Sequence, residues 1–392
     1  MSLTIQTIPF RHCNWYLSTL SDFKKNGSTQ RPFGVYVSGG EIYITDSSNH
    51  RVRKILRNGQ IVTICGTGVK GYNGDGQLAT DAQLDHPCSV VVSSSDQVYI
   101  SEFKGCRIRK IDRNGIISTI AGNGDPFKIH KRGDDQLAIN AALYHPSGLF
   151  VTDEDVLIAD SGNHRVRKVD RFGIISTIAG CSVMGGFNED DQLATSASLN
   201  NPTSVFQYKN EIYIADTTNQ RIRKIDQNGV ISTICIVHGL TPDSVFVHHD
   251  DVYFTDGLYQ LFKIFPNGTT KTIAGMKKAG FNGDDMLATE CKLNCPLGIF
   301  IDDNSQIYIA DTFNHCVRKI DKDGMMRTIV GTVGHAGYSG DVPFDFKQYP
   351  HIGPKKKSWI KPFPQAYHDL IVKCEEQDEY EPVTKKIKYT MK

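Results

Sequence analysis

No apolar run in the 392-residue chain is long enough to cross a bilayer as a helix. Neither sign of charge dominates: Lys plus Arg is 44, Asp plus Glu is 43, and the net charge of +1 gives no global attraction to nucleic acid or anionic lipid. The opening stretch from Met1 to Trp15 holds one positive charge, Arg11, and no long apolar core, so it does not read as a secretory signal. Helical periodicity long enough to compete with strands is absent. Also absent are a Gly-rich phosphate loop, a nucleophile elbow and a Cys–His pairing with supporting spacing, which removes the common motif-borne chemistries. The expectation from these absences is a soluble, cytoplasmic protein without a membrane segment. The 10 cysteines fit that expectation as reduced thiols. Cys65 and Cys235 stand in apolar runs where other copies of the pattern have Ala121 and Ala179, as small buried hydrophobes would.

What the chain does have is a repeat. Tyr213-Ile-Ala-Asp-Thr-Thr-Asn-Gln-Arg-Ile-Arg-Lys-Ile-Asp-Gln-Asn-Gly229 is two apolar runs joined by a polar turn, followed by a second turn. Close copies start at Tyr43, Tyr99, Leu157 and Tyr308, and a degraded copy one residue shorter runs from Tyr253 to Gly268. Each copy is preceded by a proline and a short apolar run, and followed by a run such as Ile117-Ser-Thr-Ile120. The unit is therefore four short strands rich in β-branched residues, with the 35 glycines of the chain serving its tight turns. The prolines at 32, 87, 146, 202, 242 and 296 are spaced by 55, 59, 56, 40 and 54 residues. The 40-residue interval is the bare unit, and the first interval is longer by an insert of 15 residues (55 − 40 = 15) that includes Gly74 to Leu84. Six four-stranded units of this size predict an all-β fold, a six-bladed β-propeller with four-stranded antiparallel blades and short helices only in the inter-blade inserts.

The Ile-Tyr-Ile-Ala-Asp-Thr-x-Asn-x-Arg-Ile-Arg-Lys-Ile-Asp core and the Gly-Asp-Gly-x-Leu-Ala-Thr-x-Ala-x-Leu insert resemble the NHL-repeat family over about residues 31 to 341. The resemblance implies a ring of blades around a central channel and no single activity, because the fold is a platform. Three segments follow: 1–30, with Leu17 to Leu20 as a candidate closure strand; 31–341, the propeller; and 342–392, a mobile charged tail.

Strand order places the loops. First-to-second and third-to-fourth connections share one face, and the third-to-fourth turns (Asn58-Gly59, Asn114-Gly115, Asn228-Gly229, Asn267-Gly268) read as minimal two-residue hairpins. The Asp-x-x-Asn turns and the inserts share the other face, where binding is expected. Asp46, Asp160, Asp216 and Asp311, with Asn49, Asn163, Asn219 and Asn314, read as a structural turn signature repeated from blade to blade. Arg51, Arg53, Arg107, Arg109, Arg165, Arg167, Arg221, Arg223 and Arg318 allow two readings: an RNA phosphate belt, or guanidinium groups paired with those Asp residues between blades. Pairing is favoured, since the surrounding loops are acidic. Both sets weaken in repeat five, where Leu261 and Phe262 stand for the two arginines although Asp256 remains. The insert acids Asp75, Asp134, Asp135, Asp190, Asp191, Asp284, Asp285 and Asp341 suggest either calcium or caps of a short Leu-Ala-Thr helix, and no calcium-loop spacing supports the first.

Metal or catalytic chemistry would have to come from residues that break the repeat. His86, His145 and Cys295 precede prolines at the channel mouth and are weak zinc candidates. NHL-type lyases resembling this chain imply metal histidines beside those prolines, but the residues following them here are Phe33, Cys88, Ser147, Thr203, Asp243 and Leu297. His50, His164 and His315 read as solvated turn residues. The favoured function is a non-catalytic scaffold, a monomeric ring without cofactor, binding a protein or peptide over the insert face. The alternatives are a metal-dependent lyase or lactonase-like enzyme at the channel mouth, and RNA binding through the Arg strands. The 40-residue link leaves a notch, so Leu258, Tyr259 and His238 beside it are the candidate contact residues.

Overall fold

The structure is a computed structural model and describes residues 29–125, 133–182 and 184–333. The expectations for Leu17 to Leu20, Asp341 and the tail from residue 342 lie outside the described residues.

Six antiparallel sheets follow one another along the chain, each with its four strands in sequence order. The first comprises Pro32–Ser38, Glu41–Asp46, Arg51–Ile55 and Ile61–Cys65, and its second and third strands pair from Ile42 opposite Ile55 to Asp46 opposite Arg51. The β-branched residues of these strands bury on both faces, because every blade is covered by a neighbour on either side. Six apolar clusters form accordingly, one at each junction of neighbouring blades. The last, with Val35 and Ile44 from blade one and Tyr308 and Val317 from blade six, closes the ring. At that seam Thr312 Oγ1 donates to the Pro32 carbonyl at 2.7 Å and Thr29 Oγ1 to the His315 carbonyl at 2.7 Å. Innermost strands crowd there: a Cβ on Gly298 would stand 2.4 Å from the Phe33 carbonyl oxygen, so only glycine fits.

Three details differ from the sequence expectation. Blades three, four and six gain a fifth, two-residue strand from the preceding insert: Gln136–Leu137, Gln192–Leu193 and Met286–Leu287 pair with the outermost strand. Leu78 makes the corresponding bridge to Ile116 in blade two. The helical elements are three-residue 3-10 turns, present in the inserts (Ala79–Asp81) and also in the Asp-x-x-Asn turns (Ser47–Asn49). The Asn-Gly turns are three residues long, not two. Leu56 N–H donates to Gln60 and Gly59 N–H to Leu56, with Gly59 left-handed at φ 86°, which is a type I turn closed by a glycine bulge.

Candidate functional site

In blades two, three, four and six the third strand carries a buried arginine held by two carboxylates, and in blade one Arg53 lies 3.3 Å from Asp46. Arg223 lies 3.3 Å from Asp216 of its own turn and 2.9 Å from Asp190 of the preceding insert. Arg167 is held likewise by Asp160 (3.4 Å) and Asp134 (2.7 Å), and Arg318 by Asp311 (3.6 Å) and Asp284 (3.1 Å). In blade two Glu102 replaces the turn aspartate, so Arg109 sits between Glu102 (3.3 Å) and Asp75 (2.8 Å). Pairing with acids is thus seen at the inner arginine of each strand, Arg53, Arg109, Arg167, Arg223 and Arg318. The insert acids neither cap a helix nor gather as a calcium loop. The 3-10 turns they precede have no side-chain cap, and Asp75, Asp134, Asp190 and Asp284 also accept from a threonine of the outer strand, as Asp75 does from the Thr119 amide at 3.0 Å.

The turn aspartates are equally occupied. Asp216 Oδ1 accepts the Asn200 amide at 2.8 Å, while Oδ2 accepts Asn219 Nδ2 at 2.8 Å. Burial pushes Asp216 up to about 6, against the pull of these hydrogen bonds and Arg223. Arg53, Arg109, Arg165, Arg167, Arg223 and Arg318 are all buried and cannot reach a phosphate backbone. Arg51, Arg107 and Arg221 are half-buried at the surface end. Arg107 lies 3.9 Å over the Tyr72 ring, Arg221 lies 4.0 Å over the Phe187 ring, and the Arg51 guanidinium donates to the Thr67 carbonyl.

The histidines of the turns are latches, not solvated side chains. His50 Nδ1 accepts the His86 amide (3.3 Å), His164 Nδ1 the Asn201 amide (3.0 Å) and His315 Nδ1 the Arg31 amide (3.2 Å). Each ties a left-handed turn to the residue before the next blade's proline. Partial burial pushes His164 and His315 below the ordinary imidazole value, favouring the neutral ring that can accept.

His86, His145 and Cys295 do not come together. His145 is stacked between Phe103 and Tyr144, with centroids at 4.3 and 4.1 Å, and Cys295 donates its amide to Leu258 of blade five. Among the described residues His86 meets His50 and Asp85 instead, with one ligand atom of each within 4.8 Å of the others. His86 Nδ1 is 2.7 Å from Asp85 Oδ1, and His50 keeps the latch seen at two junctions without such neighbours.

The first strands line a channel cavity of about 380 Å³. Phe150, Phe206, Phe246, Phe300 and Tyr36 cross it in an unbroken series of ring contacts, with centroids 4.4 to 5.3 Å apart. These rings stand four residues beyond the prolines, toward the Asn-Gly face. Cys88, Ser147, Thr203 and Asp243 form a more polar wall at the insert-face end. Blade five departs most. Residues 237–241 link it without an insert, and Val237 and Leu240 pack inward in the space an insert would fill. The register places Gln260 and Phe262 opposite the two missing arginines, correcting the alignment of Leu261 and Phe262. Leu258 is 38% exposed in its turn, Tyr259 is half-buried beside it, and His238 is exposed in the link.

A model of the teneurin NHL domain matches residues 65–125 and 276–344, and an NHL-repeat model matches 29–55 and 143–169. Human Teneurin-4 is 27% identical over 313 residues, covering 72% of this chain and 10% of its own length. Human NHL repeat-containing protein 2 is 23% identical over 346 residues, covering 80% of this chain and 42% of its own length. The chain thus spans about a tenth of the teneurins it matches. A streptogramin B lyase structure superposes with a TM-score of 0.50 at 13% identity, covering 77% of this chain and 83% of that one. A Bacteroides thetaiotaomicron structural genomics protein gives 0.52 at 17%, covering 77% and 73%. At these identities the likeness is one of fold.

Proposed function

The chain is a six-bladed propeller of NHL repeats, and from that premise we propose that it is a binding module for a protein or peptide, engaged over the face that carries the inserts and the second-to-third turns. The observation that supports this is where apolar surface remains exposed. Of 13 large exposed apolar side chains among the described residues, Phe172 alone belongs to an Asn-Gly-type turn; Ile236 ends the outer strand of blade four, and the other 11, Val69, Tyr72, Met184, Leu258 and Phe313 among them, lie in inserts or second-to-third turns. Exposed apolar side chains on a rigid rim are what a partner buries. The inner arginines are buried away from any RNA, Arg51, Arg107 and Arg221 at the surface end are only half-buried and engaged by carbonyls or rings, and the separated His86, His145 and Cys295 give a lyase or lactonase no common ligand set.

The test compares Leu258→Ser with Asn114→Ser in cross-linking and affinity measurements against a captured partner, with folding checked for each. Loss of binding in Leu258→Ser alone is expected. Loss only at Asn114, or equal loss at both, overturns the assignment of the face.

A further inference from the structure

In the other blades the carboxylate ending the second strand is neutralised on both oxygens. Asp46 Oδ2 accepts Asn49 at 2.9 Å and Arg53 at 3.3 Å, Asp160 and Asp216 repeat the arrangement, and Asp311 Oδ2 accepts Asn314 at 2.8 Å with Arg318 3.6 Å away. Blade five keeps the acid and loses both donors. Phe262 stands where the inner arginine should be, stacked on Phe254 with centroids 5.1 Å apart. Asp256 Oδ1 accepts the amides of Leu258, Tyr259 and Gln260 at 2.7 to 2.9 Å. Its Oδ2 is buried with no hydrogen-bond partner, and the residue is 1% exposed. A buried carboxylate with a vacant oxygen is costly unless a proton or a cation completes it.

The chain supplies a second acid there instead of a base. Asp243, the residue after the blade's proline, lines the channel cavity with Oδ2 2.1 Å from where a Cβ on Gly257 would stand. Asp243 is partly buried at the channel wall, and its amide donates to the carbonyl of Thr255, the neighbour of Asp256, at 3.0 Å. No cation is among the groups acting on it.

We propose that Asp243 and Asp256 form a divalent-cation site in the wall of the channel, open to the insert face. Two hard carboxylate ligands, with the remaining positions left to channel water, suit an octahedral ion that keeps several waters, Mg²⁺ or Mn²⁺. Soft or larger ions would need thiolate ligands or a fuller oxygen cage. The cation supplies the charge that arginine supplies in the other blades. The site needs no partner at that face, although Asp256 holds the turn that carries Leu258 and Tyr259.

Mn²⁺ is the probe, titrated into the full chain and followed by calorimetry and by electron paramagnetic resonance, with Mg²⁺ as competitor. One Mn²⁺ per chain is expected, displaced by Mg²⁺. Asp256→Asn keeps the Oδ1 that accepts the three turn amides, and it should weaken binding at least tenfold. Asp243→Asn should do the same, while the exposed Asp323→Asn should leave binding unchanged. Thermal unfolding without metal checks that each variant folds; should one not fold, the other decides. No saturable binding in the unmutated chain overturns the site, which would then be a carboxylate pair sharing a proton. Binding that survives both substitutions overturns it equally.

Discussion

Arg223 shows what a single residue does in this ring. Its guanidinium is shielded from water and spans Asp216 and Asp190, so it joins the second strand of its blade to the insert that precedes it. Replacing it by Ala leaves Asp216 buried without a counter-charge, which costs about 3–5 kcal/mol. Asp190 is about a third exposed, so Asp190→Asn should cost less. Urea unfolding of the two variants measures both, and RNA titration of the unmutated chain should show no steep salt slope. The histidine latches make a second residue-scale prediction. His164 is held neutral in the fold, below its ordinary value of about 6.5. The unfolded chain therefore binds the extra proton first, and the latch stabilises above about pH 6.5 and is lost as pH falls through the folded value. Asp216 and Asp311, pushed up to about 6, act in the opposite sense. The difference between the unmutated chain and His164→Gln isolates the histidine. That substitution borrows Gln220, which takes the equivalent left-handed position in blade four. The variant should lose less stability between pH 7 and pH 5.5, by chemical denaturation at each pH.

At the scale of the element, the insert is a strap. It begins with an acid bonded to the following blade's arginine and outer-strand threonine, pairs briefly with that strand, and ends with buried apolar residues such as Ala79, Ala82 and Leu84 in the junction. A strapped edge has its outward amides occupied; a bare edge is free to pair or to fray. Blade five receives no strap, and Thr270 and Lys271 of its outer strand are exposed. Amide hydrogen exchange should therefore be faster at Thr270–Ala274 than at Ile117–Ala121, Ile174–Ala179 and Met325–Val330. Asp75→Ala should raise exchange at the Thr119 amide by at least about tenfold, since it removes that amide's acceptor.

For the whole molecule, closure matters most. With six apolar junctions in a closed ring, loss of one leaves two blades each with an uncovered face. Gly298→Val pushes the innermost strands of blades six and one apart where a Cβ already lies 2.4 Å from backbone. It should lower the midpoint of a single cooperative transition by more than Ile329→Val, a one-methylene loss in the same junction worth about 0.5–1.5 kcal/mol. Calorimetry of both variants decides.

The repeat by itself determined the blade count, the strand order and the face that carries the inserts. Period-two strands, prolines and glycine turns are local signals, and six copies multiply them. The loss of both arginines from repeat five, with Asp256 retained, was legible for a related reason. Only the tertiary structure decided which acid meets which arginine, because Asp190 and Arg223 are 33 residues apart and meet through the strap. The same holds for His164 accepting the Asn201 amide, where turn histidines read as solvated until the next blade is in place. It holds most for Asp243 and Asp256. In the sequence one is a residue after a proline and the other a turn aspartate kept where the arginines are lost. Their meaning comes from burial beside each other without a base, and burial is a property of the closed ring.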